Sequence, residues 1–331
     1  MLNAQAAAAQ QFQIGIIDFY GLRRVSASES RRALTFAEGD SISLEGDEPP
    51  AFLAESERRL ATLPGVVRAR TNIVCCDQGR LIVYVGVEEE GGATLRFRAA
   101  PQGTARLPAD LVQAGDDYWA AFTTAVERGD AGEDGSRGHA LCNDPTTRAV
   151  QERFVAYAAR DTERLRGVLR ESSNADQRAL AAQVLGYVAD KQSVVDDLVY
   201  GMSDPSENVR NNSMRTLMVF TRMTPAAGTS VPRVPYAPFV NLLHSLVWTD
   251  RNKSSLALME LTESRDADLL ERLRNEAMQS LADIARWKNE GHATPGLLML
   301  GRIAGWADDD VRSAWRSGQR EKIIAAALAA R

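Results

Sequence analysis

The stretch "SDPSENVRNNSMRTL", residues 203–217, decides how this chain is read. Asp204-Pro205 closes one helix, because proline disfavours helix at the residue before it. A new helix opens just beyond, with Arg210 a turn inside. The same pattern stands elsewhere. "ADQRALAAQVLGYV" (175–188) aligns without gaps on "ENVRNNSMRTLMVF" (207–220) at an offset of 32, placing Arg178 on Arg210, Ala181 on Ser213, Leu185 on Leu217 and Val188 on Phe220. "LRNEAMQSLADI" (273–284) reads as a third copy, with Arg274, Asn275, Met278 and Leu281 on Arg210, Asn211, Met214 and Leu217. Upstream, "LRGVL" (165–169) matches "LVYGM" (198–202), and "DDDVR" (308–312) echoes "SENVR". The stretch is therefore the joint of a repeat built from two helices.

A helix pair of this kind has an apolar face too large to bury alone. Leu180, Ala181, Val184, Leu185 and Val188 recur at helical spacing, as do Val194, Val195, Leu198, Val199 and Met202. Stacked pairs share one continuous core. Arg210 can bond the carboxylates or carbonyls of the loop, with Asp204 as candidate partner. Regular spacing makes Arg178, Arg210 and Arg274 a structural ladder rather than an anion site. The Asp-Pro, Val-Arg, Leu spacing resembles the HEAT repeat, in particular the short form of lyase-type HEAT proteins, over residues 144–331. That resemblance implies an α-solenoid and carries over no lyase activity. A proline-rich insertion, "TPAAGTSVPRVPYAP" (224–238), interrupts the array, and residues 294–330 match poorly.

The net charge of −5 is spread along the chain, so neither half offers the basic footprint of non-specific nucleic-acid binding. No apolar run is long enough to span a membrane. Cys75, Cys76 and Cys142 lack zinc spacing. Cys75 and Cys76, adjacent in a strand, are expected to point to opposite faces, and a pairing of Cys142 with one of them stays open. Residues 1–11 read as a disordered tail, residues 101–143 as a helix (107–129) followed by a mobile glycine-rich linker (129–143), and Asp144-Pro145 as the cap and first position of the next helix.

Residues 12–100 read as a small α+β domain in the order β-α-α-β-β. "FQIGIIDFYG" (12–21) is a strand. Helices follow at 26–34, capped by Ser26 or Ser28, and at 51–65. Strands 66–75 and 80–89 join through a hairpin at Asp77-Gln78-Gly79. Leu34, Phe36, Gly39 and Asp40, then Leu60, Leu63, Pro64, Gly65 and Val66, then "VYVGVEE" (83–89), resemble the POTRA (polypeptide-transport-associated) module. The resemblance implies a cell-envelope setting and a strand edge that holds extended protein segments. No membrane β-barrel pattern follows. Periplasm or cell envelope is the expected location, with the cytoplasm as the alternative.

No nucleophile elbow, metalloprotease motif, phosphate loop or dinucleotide fingerprint occurs. Glu88, Glu89 and Glu90 read as a solvated strand end. His139 falls in the linker, His244 in an apolar helix and His292 in a turn. The chain is accordingly expected to be a non-enzymatic protein-binding scaffold without cofactor or metal. Its partners are other proteins, envelope proteins among them, and not nucleic acid. Second helices of the pairs, 176–189, 208–222 and 267–287, would line the contact surface. Asn211, Asn212, Arg215 and Arg222 are the candidate binding residues. The alternative is an enzyme or nucleic-acid module using the solenoid groove.

Overall fold

The computed structural model describes residues 10–44, 50–222 and 231–330. Residues 10 and 11 of the expected tail already belong to a strand. The rest of that tail, and residues 224–230 of the insertion, lie outside the described residues. The chain divides into two compact units: Met1–Leu95 with Leu243–Asn252 and Arg265–Arg331, and Arg96–Leu242 with Lys253–Ser264. This grouping departs from the linear order of the expected domains, because helices late in the chain belong with the N-terminal sheet.

In the first unit a four-stranded sheet has the order β2-β1-β4-β3. Its strands are β1 (Gln10–Tyr20), β2 (Ser41–Leu44), β3 (Val66–Asp77) and β4 (Arg80–Glu89). β1 runs parallel to β4, while β2 on β1 and β3 on β4 are antiparallel. Strand β2 corrects the expected order: a fourth strand stands between the helices α1 (Ala27–Ala33) and α2 (Ala51–Leu60). Ser26 caps α1 in a capping box with Glu29. The hairpin forms at Gln78 and Gly79, both with positive φ, the two-residue turn that matches strand twist.

β4 is central and buried on both faces, which is why its sequence is a continuous apolar run. Leu81, Val83, Val85 and Val87 meet Leu53 and Leu60 of α2 in one core. Strict alternation would put Ile14 and Ile16 on one face. A register shift between them places Ile14 and Ile17 in that core instead. On the other face Tyr84 stacks on Trp248 at 5.1 Å, tilts against Trp287 at 4.8 Å and bonds His292 Nδ1 through its hydroxyl at 2.7 Å. Thus His292 sits in an aromatic core contact at the start of a helix rather than in a free turn.

Two further expectations for this unit are overturned. Cys75 and Cys76 form a disulfide with each other, so their side chains do not diverge, and Cys142 is free and buried. Glu88 and Glu89 are buried, not solvated. The Glu89 carboxylate accepts the backbone N–H groups of Arg23, Arg24 and Val25 at 2.8, 2.8 and 3.2 Å, and Glu88 takes Arg68 and Thr94. The Glu89 carboxylate thereby satisfies the backbone of a tight loop outside the sheet ladder.

The second unit is helical. Its helices are α3 (Ala109–Arg128), α4 (Pro145–Glu171), α5 (Ala175–Val184), α6 (Val195–Gly201), α7 (Glu207–Arg222) and α8 (Ala237–Leu242). Asp144 caps α4 through Thr147, with Pro145 at the first turn. Successive helices pack α4 on α5, α5 on α7 and α6 on α7, burying Ala181, Val184, Leu185, Leu198, Leu217 and Phe220. Gly201 allows close approach: a Cβ there would lie 2.1 Å from Ser213 Oγ. The 129–143 segment is not a loose linker. It folds into β5 (Glu133–Asp134) paired with β6 (Leu141–Cys142), with Leu141 and Cys142 buried. His139 there meets Lys191 Nζ at 3.0 Å and stacks on Tyr187. Burial first, then the Lys191 charge, pushes its pKa down to about 4.

α9 (Trp248–Leu261) is followed by α10 (Ala267–Glu276), α11 (Met278–Ala285), α12 (Glu290–Ile303), α13 (Asp308–Arg316) and α14 (Arg320–Ala329). The expected single helix at 267–287 is two, because Ala277 leaves helical geometry at φ −126°, ψ 1°.

Candidate binding groove

The arginine joints position the helices that carry the groove. Arg178 is buried against Asp204, with Nε to Oδ2 at 2.9 Å and Nη2 to Oδ1 at 2.8 Å. Its Nη1 donates to the Ser172 carbonyl, six residues back, at 2.8 Å. Arg210 repeats that last bond to the Asp204 carbonyl at 2.8 Å and lies over the Phe97 ring at 3.8 Å. Both side chains are structural, as the ladder reading expects. The third rung is different from the one expected. Arg251 donates Nε to the Ser245 carbonyl at 2.6 Å, again six residues back, and is buried. Arg274 is only partly buried and reaches the Ile303 carbonyl at 3.3 Å. "RNKSSLALM" (251–259) matches "RNNSMRTLM" (210–218) at an offset of 41, lengthened by the proline-rich insertion.

With α5 and α7 held at these joints, they form with α3 a groove of about 510 Å³, within the range of ligand-binding clefts. Gly115 of α3 lets α5 approach, since a Cβ would lie 2.8 Å from Leu180 Cδ2. Amide side chains dominate the polar lining: Asn174, Gln177 and Gln183 from the α5 segment, Asn208, Asn211 and Asn212 from α7. Some of their capacity is used locally. Asn174 caps α5 by accepting from Gln177 N, Gln177 accepts from Leu107 N at 2.9 Å, and Asn212 donates to the Ala179 carbonyl at 2.9 Å. Two acceptors are not used. Gln183 Oε1 and Asn211 Oδ1 are buried without a hydrogen-bond partner among the described residues. A buried carbonyl left unpaired is costly, so each side chain would gain by turning its oxygen toward an incoming donor. Trp119, half exposed, and the carboxylates of Asp116 and Asp176 complete the rim.

The four sequence-predicted residues part company here. Asn211 and Asn212 line the groove. Arg215 and Arg222 do not: Arg215 is ion-paired with Glu133, and Arg222 with Glu260 at 2.6 Å. Burial opposes the Arg215 charge, and Glu133 outweighs it and raises the pKa. Sequence reasoning missed Asp116, Trp119, Asp176 and Gln183. A signal for part of this existed. At the offset of 32, Asp176, Ala179 and Leu180 fall on Asn208, Asn211 and Asn212, and all six line the groove.

A second polar site lies in the first unit. Ser280 Oγ and His244 Nδ1 are 3.0 Å apart, a nucleophile–base spacing, beside Arg251 and Asp283. Burial, then the charges of Arg251 and Arg23, lowers the His244 pKa, and burial raises that of Asp283. The cavity is only about 30 Å³, room for a water-sized species and not for a substrate. Among the described residues no group of histidine, cysteine and acidic side chains has the arrangement to hold a metal ion, and no helix is long and apolar enough to cross a membrane.

No family model matches the chain, and no curated protein matches it. Among solved structures, a designed armadillo repeat protein is similar at a TM-score of 0.37 and 13% identity, over 56% of this chain and 93% of that one. So distant a likeness carries no argument about function, which rests on the groove itself.

Proposed function

We propose that this chain is a non-enzymatic protein-binding scaffold, and that the groove of α3, α5 and α7 holds an extended polypeptide segment by its backbone. One observation carries the reading: two buried, unpartnered amide oxygens, Gln183 Oε1 and Asn211 Oδ1, in a groove otherwise lined by amides. An extended segment supplies N–H donors at regular spacing and needs partners for them. Side-chain amides answer both its donors and its acceptors. The nucleic-acid alternative is disfavoured, because no Lys or Arg among the described residues lines the groove. The edge strand β3 would offer a second docking place by strand addition. In this reading the chain is a HEAT-like solenoid with a POTRA-like module at a cell-envelope location, the last testable by fractionation of the tagged chain.

The groove is tested by selecting random nine-residue peptides against the whole chain. Enriched peptides are then measured on Asn211→Ala and Gln183→Ala. The expected result is weaker binding by both variants with melting no lower than the parent's. Peptides that bind both variants as tightly as the parent would remove the groove from the reading.

A further inference from the structure

We infer that the segment held in the groove carries a lysine or arginine side chain, which lies between the Asp116 and Asp176 carboxylates and the Trp119 ring. This rests on the peptide-groove reading and adds the chemistry of the occupant. Asp116 and Asp176 are exposed at the rim. Neither has an ion-pair partner among the described residues. Their neighbour Asp117, outside the lining, is engaged with Arg153 at 2.8 Å. Among the described residues no cation lines the groove, so none of them answers these two charges. Most other carboxylates of the unit are answered: Asp197 takes Arg166 and Arg170, Glu133 takes Arg215, and Asp204 takes Arg178. Trp119 is 51% exposed on the same rim. Indole is the best ring for a cation above its face. A basic side chain would gain from both features at once, and its apolar stem would cover the partly buried Val112 and Leu180. An acidic one would meet only repulsion.

The test uses the full chain and three matched sets of fluorescent nine-residue peptides. They share a Ser/Ala host and differ only in whether Lys, Gln or Glu stands at the scanned position. Polarisation titrations run to millimolar chain at low and at physiological salt. The best Lys peptide is expected to bind roughly tenfold tighter than its Gln match at low salt, with Glu peptides weakest. The advantage is expected to shrink with salt, and to fall to about twofold or less in Asp116→Asn/Asp176→Asn and in Trp119→Ala. Equal binding of Lys and Gln peptides overturns the inference while the peptide-groove reading stands. A Lys advantage that survives Asp116→Asn/Asp176→Asn overturns it as well, by placing the cation elsewhere. Absence of binding by all three sets, with the chain folded, overturns both readings together.

Discussion

Replacing Asp204 with alanine is expected to destabilise the helical unit by about 3–5 kcal/mol, the cost of leaving one member of a buried pair alone. The structure sets this scale. Asp204 is fully buried and Arg178 is 2% exposed. The carboxylate takes both arms of the Arg178 fork, a contact from Arg98 and the backbone N–H of Ser206 at 2.8 Å. In the variant Arg178 keeps only its bond to the Ser172 carbonyl, and its charge stays out of water. Urea unfolding followed by circular dichroism should show a midpoint lower by about 1–2 M at an unchanged slope. Arg178→Met combined with Asp204→Leu should cost less than Asp204→Ala alone, because no buried charge of that pair remains. A cost below about 1 kcal/mol for Asp204→Ala would refute the argument, since that is the scale of an exposed pair.

Arg210→Ala and Arg251→Ala should each cost about 1–3 kcal/mol through lost carbonyl bonds and ring contacts; Arg274→Ala should cost less than about 1 kcal/mol, and equal losses in all three would reject the assignment of rungs. Gly201→Ala and Gly301→Ala should each cost about 1–3 kcal/mol, because the new Cβ would meet Ser213 Oγ at 2.1 Å or Val311 Cγ2 at 2.2 Å; thermal melts that match the parent would count against the packing. His139 should make stability fall with acid: above pH 6.5 the imidazole is neutral in both states, and from there down to about 4 the unfolded chain takes the proton first. His139→Asn should flatten that part of the urea-midpoint profile, and an NMR midpoint for His139 near 6.5 would contradict its burial beside Lys191.

Much of this architecture was legible because it depends on local rules. Asp144-Pro145, Ser26 and Asp77-Gln78-Gly79 act within a few residues, and each does what its chemistry predicts. Arg178 and Arg210 were legible because the offset of 32 preserved their register. Arg251 was not, because the insertion breaks the period just where the third copy begins, and Arg274 took its place through a residue-for-residue match at twice that offset. Segment 129–143 has a linker's composition, yet Leu141 and Cys142 are buried and Glu133 pairs with Arg215. Distant partners of that kind leave no periodic trace. The same holds for Arg215 and Arg222, which look like a free binding face until Glu133 and Glu260 are brought to them. Asn211 and Asn212, chosen with those two arginines as polar positions of a second helix, line the groove. Trp119 and Asp116 required knowing that α3 comes alongside α5.

Each arginine makes one bond within its own stretch of chain, to the carbonyl six residues back: Arg178 to Ser172, Arg210 to Asp204, Arg251 to Ser245. A closure that spans six residues does not sense how much chain precedes it. The spacing between joints could therefore lengthen from 32 to 41 without redesign of the joint. Further on, the residue six beyond Trp287 is Ala293, and the Trp287 carbonyl receives Arg320 from α14 at 2.8 Å. That carbonyl is closed from downstream. The array can thus lengthen in its middle, but its C-terminal helix cannot be trimmed without opening the joint it closes.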